Sequence, residues 1–117
     1  MRSPEGGEIL ELVRRQVALG PRFPGSSAHE ELRGLIARSL EEHADALSVQ
    51  EFTVELPAGE VLCANLIGTF KSGAEGEAPV LLGTHYDTRL TADREPDPKR
   101  RGTPIPGAND GGSGTAV

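Results

Sequence analysis

Two short segments carry the side chains whose chemistry stands out in this 117-residue chain. The first is Thr84-His85-Tyr86-Asp87-Thr88, directly after the apolar run Val80-Leu81-Leu82. In an α/β sheet, ligands and catalytic groups gather at the carboxyl ends of strands. His85 and Asp87 would share a face of a regular strand, but where the chain bends the carboxylate can back the imidazole. A metal-bound histidine is held in this way, its second ring N–H donated to a carboxylate or carbonyl. The plainer alternative for so short a motif is a His-Asp pair in a surface turn.

The second segment is Pro106-Gly107-Ala108-Asn109-Asp110-Gly111-Gly112-Ser113-Gly114. Glycines on both sides of one acidic residue open backbone shapes closed to other residues, so Asp110 can be pushed into a cleft at a helix start. A carboxylate there is favoured by the helix dipole and can ligate or bridge a hard cation. The plainer alternative is an Asp cap in a flexible loop.

The elements that must position these segments follow from periodicity. Residues 8–19 read as a helix, with Ile9, Val13 and Val17 at i, i+4 and i+8, and Gly20-Pro21 ends it. Residues 20–27 form a rigid loop, and Ser27 with Glu30 makes a capping box opening a second helix striped by Leu32, Leu35, Ile36 and Leu40. Phe52, Val54 and Leu56 alternate with polar residues as a strand, and Pro57-Ala58-Gly59 turns into a returning strand over 61–70. Lys71 to Ala78 is a polar loop, and residues 79–84 suit a strand buried on both faces. Residues 89–108 lack periodicity, and a loop of that length is functional or disordered more often than not. From Gly107 to Val117 the chain passes into the opening of a helix.

Composition narrows the classes. The formal charge is −6, and the basic run Lys99-Arg100-Arg101 lies beside Glu95 and Asp97, which argues against a nucleic-acid surface. Cys63 is alone, so the chain holds no internal disulfide and no thiolate zinc cluster, and it reads as a small core residue. No apolar run approaches the ~18 residues of a membrane span. The first ten residues lack the layout of a signal peptide, the pattern of a cytoplasmic chain if nothing precedes them. The P-loop and calcium-loop patterns are absent, and Gly111-Gly112-Ser113-Gly114-Thr115 misses the nucleophile elbow at its last position. His29 and His43 fall on the polar side of the second helix and read as solvated.

Taken in order, the segments become specific. An apolar strand into HYDT, a Pro-rich excursion and PGANDGGSG together resemble the zinc aminopeptidase family M28, which includes the animal-type glutaminyl-peptide cyclotransferases. GPRFPGSS before the second helix and ANLIGTF in the returning strand are similar to the family's early motifs. HYDTR, Ala92-Asp93, PDP at 96–98 and PIPGANDG look most like bacterial cyclotransferase-like members. The resemblance runs from about Glu11 to Val117.

It implies an α/β fold, a mixed central β-sheet flanked by helices, with residues 1–117 as the truncated N-terminal part of a single catalytic domain. It implies one or two zinc ions (Zn2+), with His85 and Asp110 as metal ligands and Asp87 as the carboxylate that orients His85; in single-zinc cyclotransferases the counterpart of His85 lies close to the metal without necessarily ligating it, and Asp110 would bridge two zincs or ligate the single one. The catalytic glutamate and the remaining acidic and histidine ligands would lie beyond this chain. The activity implied is conversion of an N-terminal glutamine to pyroglutamate with release of ammonia, on peptide or protein N-termini. The alternatives are an aminopeptidase of the same family and a non-catalytic fragment or binding module. Members of the family are often exported.

Overall fold

The computed structural model describes residues 5–71 and 73–117. Residues 1–4, where the leader-peptide reading begins, and residue 72 of the polar loop lie outside the described residues. The described chain forms two compact units, Met1–Leu32 with Thr84–Val117, and Arg33–Gly83.

In the first unit, α1 (Gly6–Ala18) begins where the Glu8 carboxylate accepts the Glu5 N–H at 3.0 Å. It shows Ile9, Val13 and Val17 only half-buried, and its buried residue is the polar Gln16. The second helix, α2 (Ser27–His43), starts in this unit with Ala28, His29 and Leu32 buried. Its cap differs from expectation: Ser26, not Ser27, accepts the His29 N–H at 3.1 Å through Oγ. A cap must sit just outside the first helical residue for its oxygen to reach the N–H three ahead, and the loop from Pro21 places Ser26 there, with its hydroxyl also donating to the Pro21 carbonyl. A short α3 (Gly112–Ala116) packs on α1 and closes the unit.

The long segment between the two chemical motifs is ordered by its own hydrogen bonds. Ala92 N–H donates to the Thr103 carbonyl at 3.0 Å, and Arg101 Nε donates to the Glu95 carbonyl at 2.8 Å. A single 3-10 turn, Pro98–Arg100, is capped by the Asp97 carboxylate. Arg89 pairs with Asp93 at 3.0 Å across one turn of chain.

The second unit is built on a hairpin of β1 (Ala46–Leu56) and β2 (Gly59–Thr69), antiparallel with Phe52 opposite Cys63 and Val54 opposite Val61. The strand β1 is longer than its alternation suggests. Leu47 and Val49 lie on one face, Phe52, Val54 and Leu56 on the other, so the apolar phase flips at Gln50-Glu51 and hides the first half. One face meets α2, where Leu40 and Ala44 crowd against Gly68 and Ala64 is buried. Cys63, expected in a core, is half-buried on the other face.

The fold class is α/β, and the described sheet is this antiparallel pair. Residues 79–84, expected as a strand buried on both faces, pair with no strand among the described residues. Val80, Leu81 and Leu82 are 86–91% exposed. A doubly buried strand needs neighbours along its edges and helices over both faces, and the described residues provide it with neither.

The corrected cap is testable by chemical denaturation. Ser26→Ala is expected to cost about 1 kcal/mol, while Ser27→Ala should change stability by less than ~0.5 kcal/mol. The reverse ranking would restore Ser27 as the cap.

Candidate metal centre

From Gly83 to Thr88 the chain forms no helix, strand or turn, and the Asp87 side chain lies against the His85 imidazole. His85 Nδ1 lies 3.1 Å from Asp87 Oδ1 and 3.2 Å from the Asp87 carbonyl. Both partners are acceptors, so Nδ1 carries the proton and the Nε2 lone pair is turned outward. Asp87 thus backs the ring as the motif allows.

Asp110 comes to the same imidazole from the glycine-rich loop. Its Oδ1 lies 2.9 Å from His85 Nε2. The N-cap of α3 is Gly111, and no side chain caps that helix, so Asp110 is not an ordinary cap. The close approach depends on two glycines. Gly111 has φ +84, and a Cβ there would sit 3.0 Å from the Asp87 carbonyl and 3.2 Å from the His85 ring. Gly107 has φ +60, and a Cβ there would run into Thr88 Cγ2 and Arg22 Nη2. An L side chain at either position would strain the backbone and push Asp110 off His85.

The base of this loop is held from below by α1 and by the segment that follows it. Arg22 is fully buried. Its Nη1 donates to the carbonyls of Gln16 and Gly20, and its Nη2 to those of Pro106 and Gly107, at 2.9–3.0 Å. Gln16 Nε2 donates to the Gly112 carbonyl at 3.0 Å, while Gly112 N–H donates to the Gly107 carbonyl at 3.1 Å. The Arg22 carbonyl accepts the Thr88 N–H at 3.0 Å, one residue beyond Asp87. The only sequence mark of this role is an arginine between prolines in GPRFPG.

His29 was expected on a solvated face and is instead buried, its ring stacked on Tyr86 at 5.0 Å with planes 12° apart. The first turn of α2 faces the segment that carries Tyr86, so an aromatic partner covers the imidazole there. His43 is exposed, its Nδ1 on the Ser39 carbonyl.

The electrostatics of the trio follow from its geometry. A neutral imidazole with its proton on Nδ1 would aim a lone pair at the Asp110 carboxylate, which is repulsive unless a positive charge lies between them. Desolvation of the ring disfavours that charge. The hydrogen bonds to the Asp87 carboxylate and carbonyl, with the charges of Asp87 and Asp110, outweigh it and raise the His85 pKa above the ordinary 6.5. A metal cation meets the same requirement as the proton. One imidazole nitrogen and one carboxylate oxygen face a common point, the imidazole already held by a second carboxylate, and this donor set suits zinc. Among the described residues no three His, Cys, Asp or Glu side chains are arranged to hold a metal ion. Catalytic zinc sites take three protein ligands, so His85 and Asp110 could supply two. Asp110 is 80% exposed and leaves room for others.

In the metal-free protein, NMR titration should find the His85 midpoint above 6.5, and Asp87→Asn should lower it. Because the folded value is raised, the imidazolium's contribution to stability is fully present below about pH 6.5 and disappears as pH rises through the raised midpoint. An Asp87→Asn variant with an unmoved midpoint would contradict the arrangement.

Known proteins are similar to this chain in sequence and in fold. Residues 65–117 match the sequence model of peptidase family M28. A Zn-dependent exopeptidase from Parabacteroides distasonis superposes with a TM-score of 0.83 at 34% identity, over 96% of this chain and 38% of that one. A glutaminyl cyclase from Tannerella forsythia gives 0.83 at 35% identity, over 98% and 39%. A leucine aminopeptidase precursor from Bacteroides thetaiotaomicron gives 0.78 at 30% identity, over 96% and 38%. The chain therefore spans about two fifths of the length of these structures. No curated protein matches it. No helix among the described residues is long and apolar enough to cross a membrane. Residues 65–117 thus match peptidase family M28, and the chain is similar in sequence and structure to a Zn-dependent exopeptidase and to bacterial glutaminyl cyclases.

Proposed function

We propose that the protein is a zinc-dependent enzyme acting on peptide N-termini, of the glutaminyl-peptide cyclotransferase type. The observation that carries this reading is the His85 imidazole lying between two carboxylates, Asp87 at 3.1 Å and Asp110 at 2.9 Å, inside the M28-matched residues. His85 and Asp110 would be metal ligands, and Asp87 would hold His85 in the tautomer that presents Nε2. Bound zinc supplies Lewis acidity, polarising a carbonyl oxygen and acidifying a bound water. The remaining ligands and the acidic proton relay would come from outside residues 1–117, which we read as the N-terminal part of one catalytic domain.

In the cyclotransferase reaction, the α-amine of an N-terminal glutamine attacks its own side-chain amide carbon. The new C–N bond forms as the amide nitrogen takes up a proton and leaves as ammonia. The likeness to an exopeptidase and an aminopeptidase precursor favours a second reading, hydrolysis of the N-terminal residue by an activated water. The two reactions differ in the nucleophile, and Asp110 would hold metal in either.

An ammonia-release assay with Gln-peptides, run beside an aminoacyl-anilide assay on the full-length protein, distinguishes the two. We expect ammonia release to dominate and a chelator to abolish it. Asp87→Asn should lower it by about 10–100-fold, and Asp110→Ala further. Activity indifferent to chelator and to Asp110→Ala would remove the metal mechanism. Residues 1–117 alone offer two ligands and should bind zinc weakly and turn over nothing. Tight stoichiometric binding by calorimetry would contradict that.

A further inference from the structure

The buried guanidinium of Arg22 engages both Nη atoms on the main chain of the segments that carry the candidate ligands, while its Nε has no hydrogen-bond partner among the described residues. Each of its four acceptors is a neutral carbonyl, two on the α1 side (Gln16, Gly20) and two at the base of the Asp110 loop (Pro106, Gly107). Burying a cation is costly, and each of its donors left without a well-placed acceptor adds to that cost. The planar fork therefore dictates where those carbonyls stand, and shifting either pair by an ångström would leave a buried donor unmet. The Gly107 carbonyl is also the anchor for Gly112 N–H, so the loop closes on the oxygen that Arg22 grips. Gln16 pins the far end through the Gly112 carbonyl. Asp110 lies midway along a loop fixed at both ends. On its other side, the Arg22 carbonyl holds Thr88 N–H at the end of the segment that carries His85 and Asp87.

We propose that Arg22, assisted by Gln16, is a positioning residue that sets the distance between the Asp110 carboxylate and His85. It touches neither reacting atoms nor candidate ligands. It acts through the backbone of 106–112 and of 88. A lysine cannot replace it, because one ammonium on a flexible stem cannot span two pairs of carbonyls in a plane. For its zinc readout, the inference rests on the metal reading above. Its structural readout does not.

The test compares Arg22→Lys and Gln16→Met with Leu32→Ala, a core truncation in the same unit, by thermal unfolding and two further readouts. The first, in the metal-free protein, is the NMR cross-relaxation between the His85 ring Hε1 and the Gly111 α-protons. The second is zinc affinity by competition with a chromophoric chelator. We expect Arg22→Lys to lose the His85–Gly111 signal and to bind zinc about 10–100-fold more weakly. Gln16→Met should move both in the same direction by less, and Leu32→Ala should keep both at temperatures where it is folded. Should Arg22→Lys not fold, Gln16→Met decides alone. An intact His85–Gly111 signal in a folded variant overturns the proposal, as does an equal loss in Leu32→Ala. A lost signal in a protein that binds no zinc even in its unaltered form leaves the positioning role standing and removes the metal reading instead.

Discussion

A cation with no access to water organises the part of this molecule that bears its chemistry. Arg22 is fully buried, and desolvation lowers its pKa, yet a guanidinium remains charged. The charge must be met by oxygen, and here that oxygen is backbone. A carboxylate partner would have satisfied the charge at one point. Carbonyls from 16, 20, 106 and 107 satisfy it from separate stretches of chain and lock those stretches together. The cost of burying the ion becomes the stiffness of the loop above it.

That stiffness lets an exposed trio be specific. His85, Asp87 and Asp110 are all substantially exposed, and such pairs in water hold their geometry poorly on charge alone. Here the geometry comes from beneath, through glycines that permit the loop's path and donors that fix its ends. The trio carries two carboxylates for one imidazole, so it recruits a positive charge, proton or metal, wherever one is available. Protons and metal ions therefore compete for the same nitrogen.

Much of the site was legible because its residue types are rare in combination. A His-x-Asp after an apolar run, and an acidic residue flanked by glycines, point to the same chemistry from two places in the sequence. Spacing could not say that Asp110 meets His85 Nε2, because the contact spans 25 residues of irregular chain. Arg22 and Gln16 were illegible for a different reason. Their acceptors are main-chain carbonyls, which every residue has, so no partner residue betrays them. The helices read correctly from their stripes, while the Ser26 cap was missed because two adjacent serines offer the same hydroxyl. The first half of β1 was hidden by the phase flip of its apolar residues. The run Val80-Leu81-Leu82 misled in the other direction: continuous apolarity signals a need for burial, and the described residues leave that need unmet.

The clamp also has a history in time. Its hydrogen bonds join residues 84, 85 and 96 positions apart. At roughly 5–20 residues per second of synthesis, Arg22 emerges about 4–20 seconds before the carbonyls that complete its shell. Through that interval only the local Gln16 and Gly20 carbonyls are at hand, and the Nη2 side of the guanidinium stays hydrated. The entropy of bringing such distant segments together must be met before any of the new bonds forms. Burial of the arginine is therefore a late event, and the His85–Asp110 contact appears with it as the unit closes around an ion that has waited in solvent.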